Sequence, residues 1–183
     1  MKPEELRETV VSKEKIFEGR ILDVQKWTVS LPGGNEAFRE VVLHRGASAV
    51  VPVDEDKNVY LVTQYRAPIG DLLTEIPAGK LDYAGEDRLQ AAKRELREET
   101  GFTADKWTHL TDLYTTPGFS SEMISVYLAQ GLKNGETDFD DDEFIDVKKL
   151  PLAEAVRMAR AGEIRDGKTV AGLLLADHIV NGD

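Results

Sequence analysis

The chain contains no cysteine, which excludes disulfide bonds, thiolate catalysis and cysteine-ligated zinc. Its three histidines, His44, His109 and His178, are scattered, so we expect structural or surface roles for them rather than a histidine-rich metal site. The longest apolar run, residues 170–176, falls far short of the roughly 20 residues of a membrane span. The charged N-terminus lacks the apolar core of a signal peptide. We therefore expect a cytoplasmic protein with no membrane partner.

Positive charge is also in deficit, because 34 acidic residues outnumber 23 lysines and arginines and give a net charge of −11. Such a chain is repelled by nucleic acids and anionic membranes, so we expect no nucleic-acid partner. A small phosphorylated substrate is not excluded, because carboxylates can hold divalent cations that in turn hold phosphates. The length of 183 residues, with 41% hydrophobic and 31% charged residues, predicts a globular protein of about one domain.

Strand and helix signals alternate irregularly, without a regular βαβ repeat, which favours an α+β or α/β sandwich. Residues 1–43 read as an N-terminal β hairpin layer that must pack on something else, and residues 44–183 as the main domain. The predicted strands are 21–31, 38–44, 47–53, 59–65, 107–114, 123–128 and 144–147, with 47–53 and 59–65 forming a second hairpin. The predicted helices are 86–100, 152–161 and 168–179.

The first predicted helix carries a cluster of carboxylates on one face. Glu95 and Glu99 are four residues apart and stack on that face, with Glu98 at its edge, so the three span roughly 100° of arc. Leu89 and Leu96 form an apolar face that can pack on a sheet. Oxygen ligands in this arrangement suit Mg²⁺ or Mn²⁺. The alternative is a solvated acidic face balanced by neighbouring arginines.

The surrounding residues resemble the Nudix box, a loop–helix–loop motif of fixed glycine, glutamate and arginine positions. The matching residues are Gly79, Glu86, Arg94, Glu95, Leu96, Glu98, Glu99, Gly101 and Phe102. One departure is that six residues, rather than the family's five, separate Gly79 from Glu86. The extra residue falls in a predicted loop, where insertions are tolerated.

The resemblance extends from about residue 17 to residue 179 and is to the ADP-ribose pyrophosphatase branch of the Nudix hydrolases. It is carried by residues 39–42, 64–66, 75–80 and 116–122, with Pro117 lying 15 residues beyond Phe102. The resemblance implies an α/β/α sandwich around a mixed sheet. It also implies hydrolysis of ADP-ribose to AMP and ribose 5-phosphate with two or three Mg²⁺ or Mn²⁺ ions. Family members commonly form homodimers that exchange their N-terminal layers.

The same resemblance implies roles for particular residues. The metal ligands would be the carbonyl of Ala78 with Glu95, Glu99, Glu98 and the loop residue Glu143. The catalytic group would comprise Glu98 and a loop base, with Glu143 preferred and Asp141 second, in an otherwise solvated acidic run. Arg94 is expected to orient the carboxylates.

Substrate contacts are also implied, with Arg66 as a bidentate phosphate clamp and Trp27 as a platform for adenine, unless its indole only fills the core. The full predicted set is Trp27, Arg39, Glu40, Arg66, Glu75, Gly79, Lys80, Pro117, Phe119 and Glu122. Two alternatives remain open: a diphosphatase for another nucleoside diphosphate sugar or a dinucleotide, and a non-catalytic ADP-ribose sensor. The intact carboxylate set and the lack of a DNA-binding segment disfavour the sensor.

Overall fold

The computed structural model describes residues 2–137 and 144–182. The chain divides into two compact units. The first contains the chain up to Gly46 together with Tyr114–Met123, and the second contains Ala47–Leu113 and the chain from Ile124 onward.

The first unit is built on an antiparallel three-stranded sheet in the order β1-β2-β3, formed by Thr9–Glu18, Asp23–Ser30 and Glu36–Leu43. A short 3-10 helix, Pro3–Leu6, precedes it. The 114–123 segment is joined to β3, because the Val42 amide donates to the Phe119 carbonyl at 2.7 Å and the Ser121 amide donates to the Val42 carbonyl at 3.0 Å.

The second unit contains two sheets. One has the order β10-β5-β6, formed by Asp146–Pro151, Asn58–Arg66 and Asp71–Glu75, and both pairings are antiparallel. The other has the order β7-β4-β9-β8, formed by Ala78–Lys80, Ala47–Pro52, Met123–Lys133 and Thr103–Tyr114. Strand β4 runs parallel to β9 and antiparallel to β7, so this second sheet is mixed.

Strand β4 is buried along its whole length because helices cover both faces of its sheet. On one face, Val50 packs with Ala92 and Leu96 of α1, Arg88–Thr100. On the other face, Val51 joins a larger core that includes residues of α2, Leu152–Arg160, and α3, Gly167–Asn181. The result is the expected sandwich of helices around a mixed sheet, and that expectation of the fold is confirmed.

Helix α1 has clear start and stop signals. The Asp87 carboxylate accepts a hydrogen bond from the Gln90 amide at 2.9 Å, and Gly101 ends the helix in the left-handed conformation at φ 73°. This fixes the length and phase of the segment that carries the carboxylates.

Two sequence expectations about strands were wrong. Segments 47–53 and 59–65 are strands but not a hairpin, because β4 and β5 belong to different sheets and share only an isolated Val53–Val59 bridge. Strand β1 was missed, since all ten of its residues are exposed and its charged residues hide the alternation that a half-buried strand shows. No helix of the described ranges is long and apolar enough to cross a membrane.

Candidate active site

The carboxylate face of α1 is buried rather than solvated. Relative exposure is 8% for Glu95 and 2% for Glu99, although their charges would favour the surface. The Glu98 side chain is 26% exposed and lies at the edge of the group. Glu95 and Glu99 therefore do not lie on a solvated acidic face, which was the alternative interpretation of the sequence.

Glu95 lies against the backbone of Gly79 on β7. A Cβ atom added at Gly79 would lie 2.1 Å from Glu95 Oε1 and 2.2 Å from Glu95 Cδ, closer than any real contact of this kind. Only glycine therefore leaves room for the carboxylate at this point. The first residue of the predicted box and its central glutamate are adjacent in space, despite the extra loop residue between Gly79 and Glu86.

Glu99 lies against the neighbouring residue of the same strand. The Ala78 amide donates to Glu99 Oε2 at 3.2 Å. The carbonyl predicted as a metal ligand thus belongs to a residue that already contacts the second buried carboxylate. Strand β7 places Ala78 and Gly79 there through its pairing with Ala49 and Ser48 of β4.

Arg94 forms hydrogen bonds with several residues of the predicted Nudix box and its loop. It donates to Glu95 at 2.6 Å, to Glu98 at 3.1 Å and to the Lys80 carbonyl at 3.1 Å. Its guanidinium also lies 3.3 Å from Asp82 and 3.7 Å from Glu86 in the loop that carries the extra residue. Burial lowers the pKa of Arg94, but the nearby carboxylates, Glu95 foremost, outweigh burial and raise it. The arginine therefore orients the acids and fastens the loop to the helix.

These residues fit a hard divalent cation in their chemistry. The available donors are all oxygens, and the missing Cβ of Gly79 leaves a cradle beside Glu95. Within residues 2–137 and 144–182, no three acidic or imidazole side chains are already arranged as a metal site. Glu95 faces Arg94 and Glu99 faces the Ala78 amide, so a cation would have to replace some of these contacts.

A second ionic network lies in the same unit. Arg66 donates to the Glu75 carboxylate through Nε at 2.6 Å and Nη2 at 2.8 Å. Glu75 is 1% exposed, and its carboxylate also accepts from Lys168 Nζ. Burial raises the pKa of Glu75, but the hydrogen bonds and charges of Arg66 and Lys168 outweigh it and lower that pKa. Glu75 therefore faces other protein groups.

The predicted substrate residues of β2 and β3 lie in the first unit. Trp27 is half-buried, its indole donates to Gln25 at 2.8 Å, and the Lys13 ammonium lies 4.2 Å from the ring centroid. Arg39, its register partner on β3, forms an ion pair with Glu8. Glu40 is exposed.

The remaining predicted substrate residues fall in two places. Pro117, Phe119 and Glu122 lie in the 114–123 segment of the first unit, where Glu122 accepts from Thr115 at 2.7 Å and lies 3.5 Å from His44 Nδ1. Lys80 lies on β7 and is exposed. The proposed bases Asp141 and Glu143 lie outside the described residues.

Sequence reasoning did not single out Lys168, Asp166 or Thr169 at the start of α3. The Asp166 carboxylate accepts from the Thr169 amide and from Lys168, both at 3.0 Å. Thr169 Oγ1 in turn accepts from the Ile76 amide at 2.8 Å. Only a short polar run of ordinary helix-start type marks these residues in the sequence.

The chain belongs to the NUDIX domain family, whose model matches residues 42–173. This confirms the resemblance that the box residues indicated. Helix α1 and its preceding loop lie within the matched residues.

Among curated proteins, the chain is 41% identical to an ADP-ribose pyrophosphatase of Bacillus subtilis over 90% of this chain and 89% of that protein. It is 42% identical to an ADP-ribose pyrophosphatase of Mycobacterium tuberculosis, over 94% of this chain and 84% of that protein. A third relative, 41% identical over 89% of each, is a methanol dehydrogenase activator of Bacillus methanolicus.

Among solved structures, the chain is similar to one described as an ADP compounds hydrolase. The TM-score is 0.84 and the match covers 96% of this chain and 95% of that chain, at 24% sequence identity. At that identity the similarity supports the fold alone.

Proposed function

We propose that this protein is a divalent-metal-dependent ADP-ribose diphosphatase that releases AMP and ribose 5-phosphate. The observation that carries the proposal is the pair of buried carboxylates, Glu95 and Glu99, held against the Gly79–Ala78 backbone. Two relatives at 41% and 42% identity are named ADP-ribose pyrophosphatase, which supports this substrate.

The chemical problem is that water must attack a diphosphate that is already negatively charged. Bound Mg²⁺ or Mn²⁺, two or three ions, would neutralise this charge and activate water. Glu95, Glu99, Glu98 and the Ala78 carbonyl would hold the ions, with Glu143 as a further ligand. Arg94 keeps the carboxylates oriented through its hydrogen bonds to Glu95 and Glu98.

The proton of the attacking water would pass to a carboxylate of the acidic loop. We place Glu143 first and Asp141 second in this role, with Glu98 as a catalytic neighbour on the helix. The candidates are separated by replacing each carboxylate in turn with the matching amide, which cannot accept the proton. The variant that lacks the true base should lose far more kcat than the other variants.

Arg66 supplies a positive group for the diphosphate. Its Nε and Nη2 donate to Glu75, and within residues 2–137 and 144–182 its other N–H groups have no hydrogen-bond partner and could bind a ligand. Trp27, Arg39, Glu40, Pro117, Phe119 and Glu122 form the proposed set for the adenosine and ribose ends. Gly79 and Lys80 belong to the wall formed by β7.

The first unit would complete the site through a homodimer with exchanged N-terminal layers. The support is that β1 is exposed along its entire length and carries large apolar residues, including Ile16 at 57% and Phe17 at 55% exposure. Such a patch is unusual on a free surface. Light scattering of the purified protein should give twice the chain mass, and a monomer would overturn this arrangement.

The substrate is tested with a panel of ADP-ribose, other nucleoside diphosphate sugars and dinucleotides, comparing kcat/KM with Mg²⁺ present. ADP-ribose should rank first, with AMP and ribose 5-phosphate as products. A higher rank for another nucleoside diphosphate sugar or a dinucleotide would favour that alternative. The differently named Bacillus methanolicus relative, at 41% identity, makes this panel necessary. Absence of turnover on every compound would contradict the enzyme assignment and favour the non-catalytic sensor.

A cytoplasmic location remains a prediction, tested by fractionating cells and assaying the activity in each fraction.

A further inference from the structure

The Lys168 side chain is almost fully buried in an ionic network that reaches the proposed phosphate clamp. Its side chain is 11% exposed, and the ammonium donates to Glu75 and to Asp166. Glu75 accepts from Arg66 on its other side. We propose that Lys168 is a positioning residue, which holds Glu75 so that the Arg66 guanidinium faces the substrate diphosphate. The proposal rests on the function proposed above.

The Arg66 guanidinium is fixed by Glu75 through only some of its N–H groups. Its Nε and one Nη2 proton bind Glu75, which leaves three of the five guanidinium donors without a partner in the part of the chain that the structure describes. The Arg66 side chain is 40% exposed, whereas that of Glu75 is only 2% exposed. The hydrogen bond with Glu75 raises the pKa of Arg66 and outweighs burial, which lowers it.

Lys168 changes the charge that Arg66 can offer to a phosphate. If Arg66 were the only cation beside Glu75, the buried carboxylate would cancel most of its charge. Because Lys168 shares Glu75 Oε2 with Arg66, part of the positive potential of Arg66 remains for a second anion. Lys168 also helps to keep Glu75 ionised despite its burial, and so preserves the two-point contact with Arg66.

The turn before α3 fixes Lys168 in place. Asp166 accepts from Lys168 Nζ at 3.0 Å, from the Thr169 amide at 3.0 Å and from Thr169 Oγ1 at 2.5 Å. Thr169 is fully buried and accepts from the Ile76 amide, directly after Glu75. The turn thus holds both the lysine and the end of the strand that carries its partner. The negative charge of Asp166 is occupied in capping the helix as well as in pairing with Lys168.

A double-mutant cycle tests the proposal. Lys168→Met removes the charge and keeps most of the side-chain volume, and we expect kcat/KM for ADP-ribose to fall by about 10-fold to 100-fold, mainly through KM. In an Arg66→Ala background the same substitution should change kcat/KM by less than about 2-fold, because Lys168 is proposed to affect substrate binding only through Arg66. Lys168→Arg should restore most of the loss, since it retains the positive charge. If Lys168→Met does not fold, Lys168→Gln replaces it in the cycle.

Arg165→Met is the matched control. Arg165 lies in the same turn and forms an exposed pair with Asp71, so its loss should leave kcat and KM unchanged. Equal effects of Lys168→Met with and without Arg66, or a loss confined to thermal stability, would overturn the positioning role. If wild-type enzyme prefers another nucleoside diphosphate derivative, the cycle is run on that compound, so a wrong substrate and a wrong role for Lys168 remain distinguishable.

Discussion

The second unit contains two ionic networks that differ in charge balance. Around Arg94, one guanidinium faces the carboxylates of Asp82, Glu86, Glu95 and Glu98. Around Glu75, one buried carboxylate faces the two cations Arg66 and Lys168, with Asp166 on the far side of the lysine. The first network carries an excess of negative charge, and the second presents a partly available arginine.

The difference bears on how a chain of net charge −11 would bind the proposed diphosphate substrate. Under the proposed function, the acidic network would hold divalent cations, and those cations together with Arg66 would attract the substrate. We expect neither network alone to suffice, because Arg66 is partly neutralised by Glu75 and the α1 carboxylates repel phosphate. The substitutions below remove one feature at a time.

Glu99→Gln should have the largest effect. It removes one buried negative charge from the acidic network while keeping the side-chain shape, so we expect kcat with Mg²⁺ to fall roughly 1,000-fold. Circular dichroism should show an unchanged fold. Glu55→Gln, in the exposed turn before β5, is the control and should retain full activity. Near-normal turnover by Glu99→Gln would show that the metal assignment is wrong.

Gly79→Ala should rank second. The added Cβ would collide with the Glu95 carboxylate at 2.1 Å and push it from its position, so kcat/KM should fall by about 100-fold. Gly167→Ala introduces the same methyl group where no atom lies within 4 Å and should be silent. Equal activity of both variants would mean that the position of Glu95 is unimportant.

Arg94→Lys should have a smaller effect. It keeps the positive charge but loses the planar fork that contacts Glu95, Glu98 and the Lys80 carbonyl. We expect about a 10-fold loss of kcat/KM and a higher Mg²⁺ concentration for half-maximal activity. An unchanged Mg²⁺ requirement would argue that Arg94 only fastens the loop.

Asp54→Asn should have the smallest effect, because the ion pair of Asp54 with Lys149 belongs to neither network. Burial raises the pKa of Asp54, but hydrogen bonds from Lys149 and Asn58 outweigh it and lower the pKa to about 2. A depressed folded-state pKa stabilises the protein above the ordinary pKa of 3.8, and this contribution is lost as the pH falls through about 2. Chemical unfolding at pH 7 should therefore show a loss of about 1 kcal/mol, with unchanged kcat. A loss that persists at pH 2 would contradict this origin.

The sequence predicted the acidic network better than the network around Glu75, for a physical reason. Glu95, Glu98 and Glu99 are close in sequence, so helix geometry alone brings them together. Arg66, Glu75 and Lys168 come from β5, β6 and the start of α3, and only tertiary packing unites them. Lys168 was therefore missed, and the contacts of Glu75 with these two cations were not predicted.

The same distinction applies to the fold. The end of α1 at Thr100 was predicted, because Gly101 acts on its own helix, whereas the helix begins two residues later than expected, after the Asp87 cap. The pairing of β4 with β9 joins distant segments, and nothing in residues 47–65 distinguishes this arrangement from a hairpin. Strand β1 lacks the buried face on which strand prediction depends.

The most direct test of the central claim is a metal titration of chelator-treated enzyme, following ADP-ribose binding by calorimetry and AMP release in parallel. We expect neither ADP-ribose binding nor turnover without metal, with both restored as Mg²⁺ is added. Tight ADP-ribose binding or AMP release in the absence of any divalent cation would contradict it.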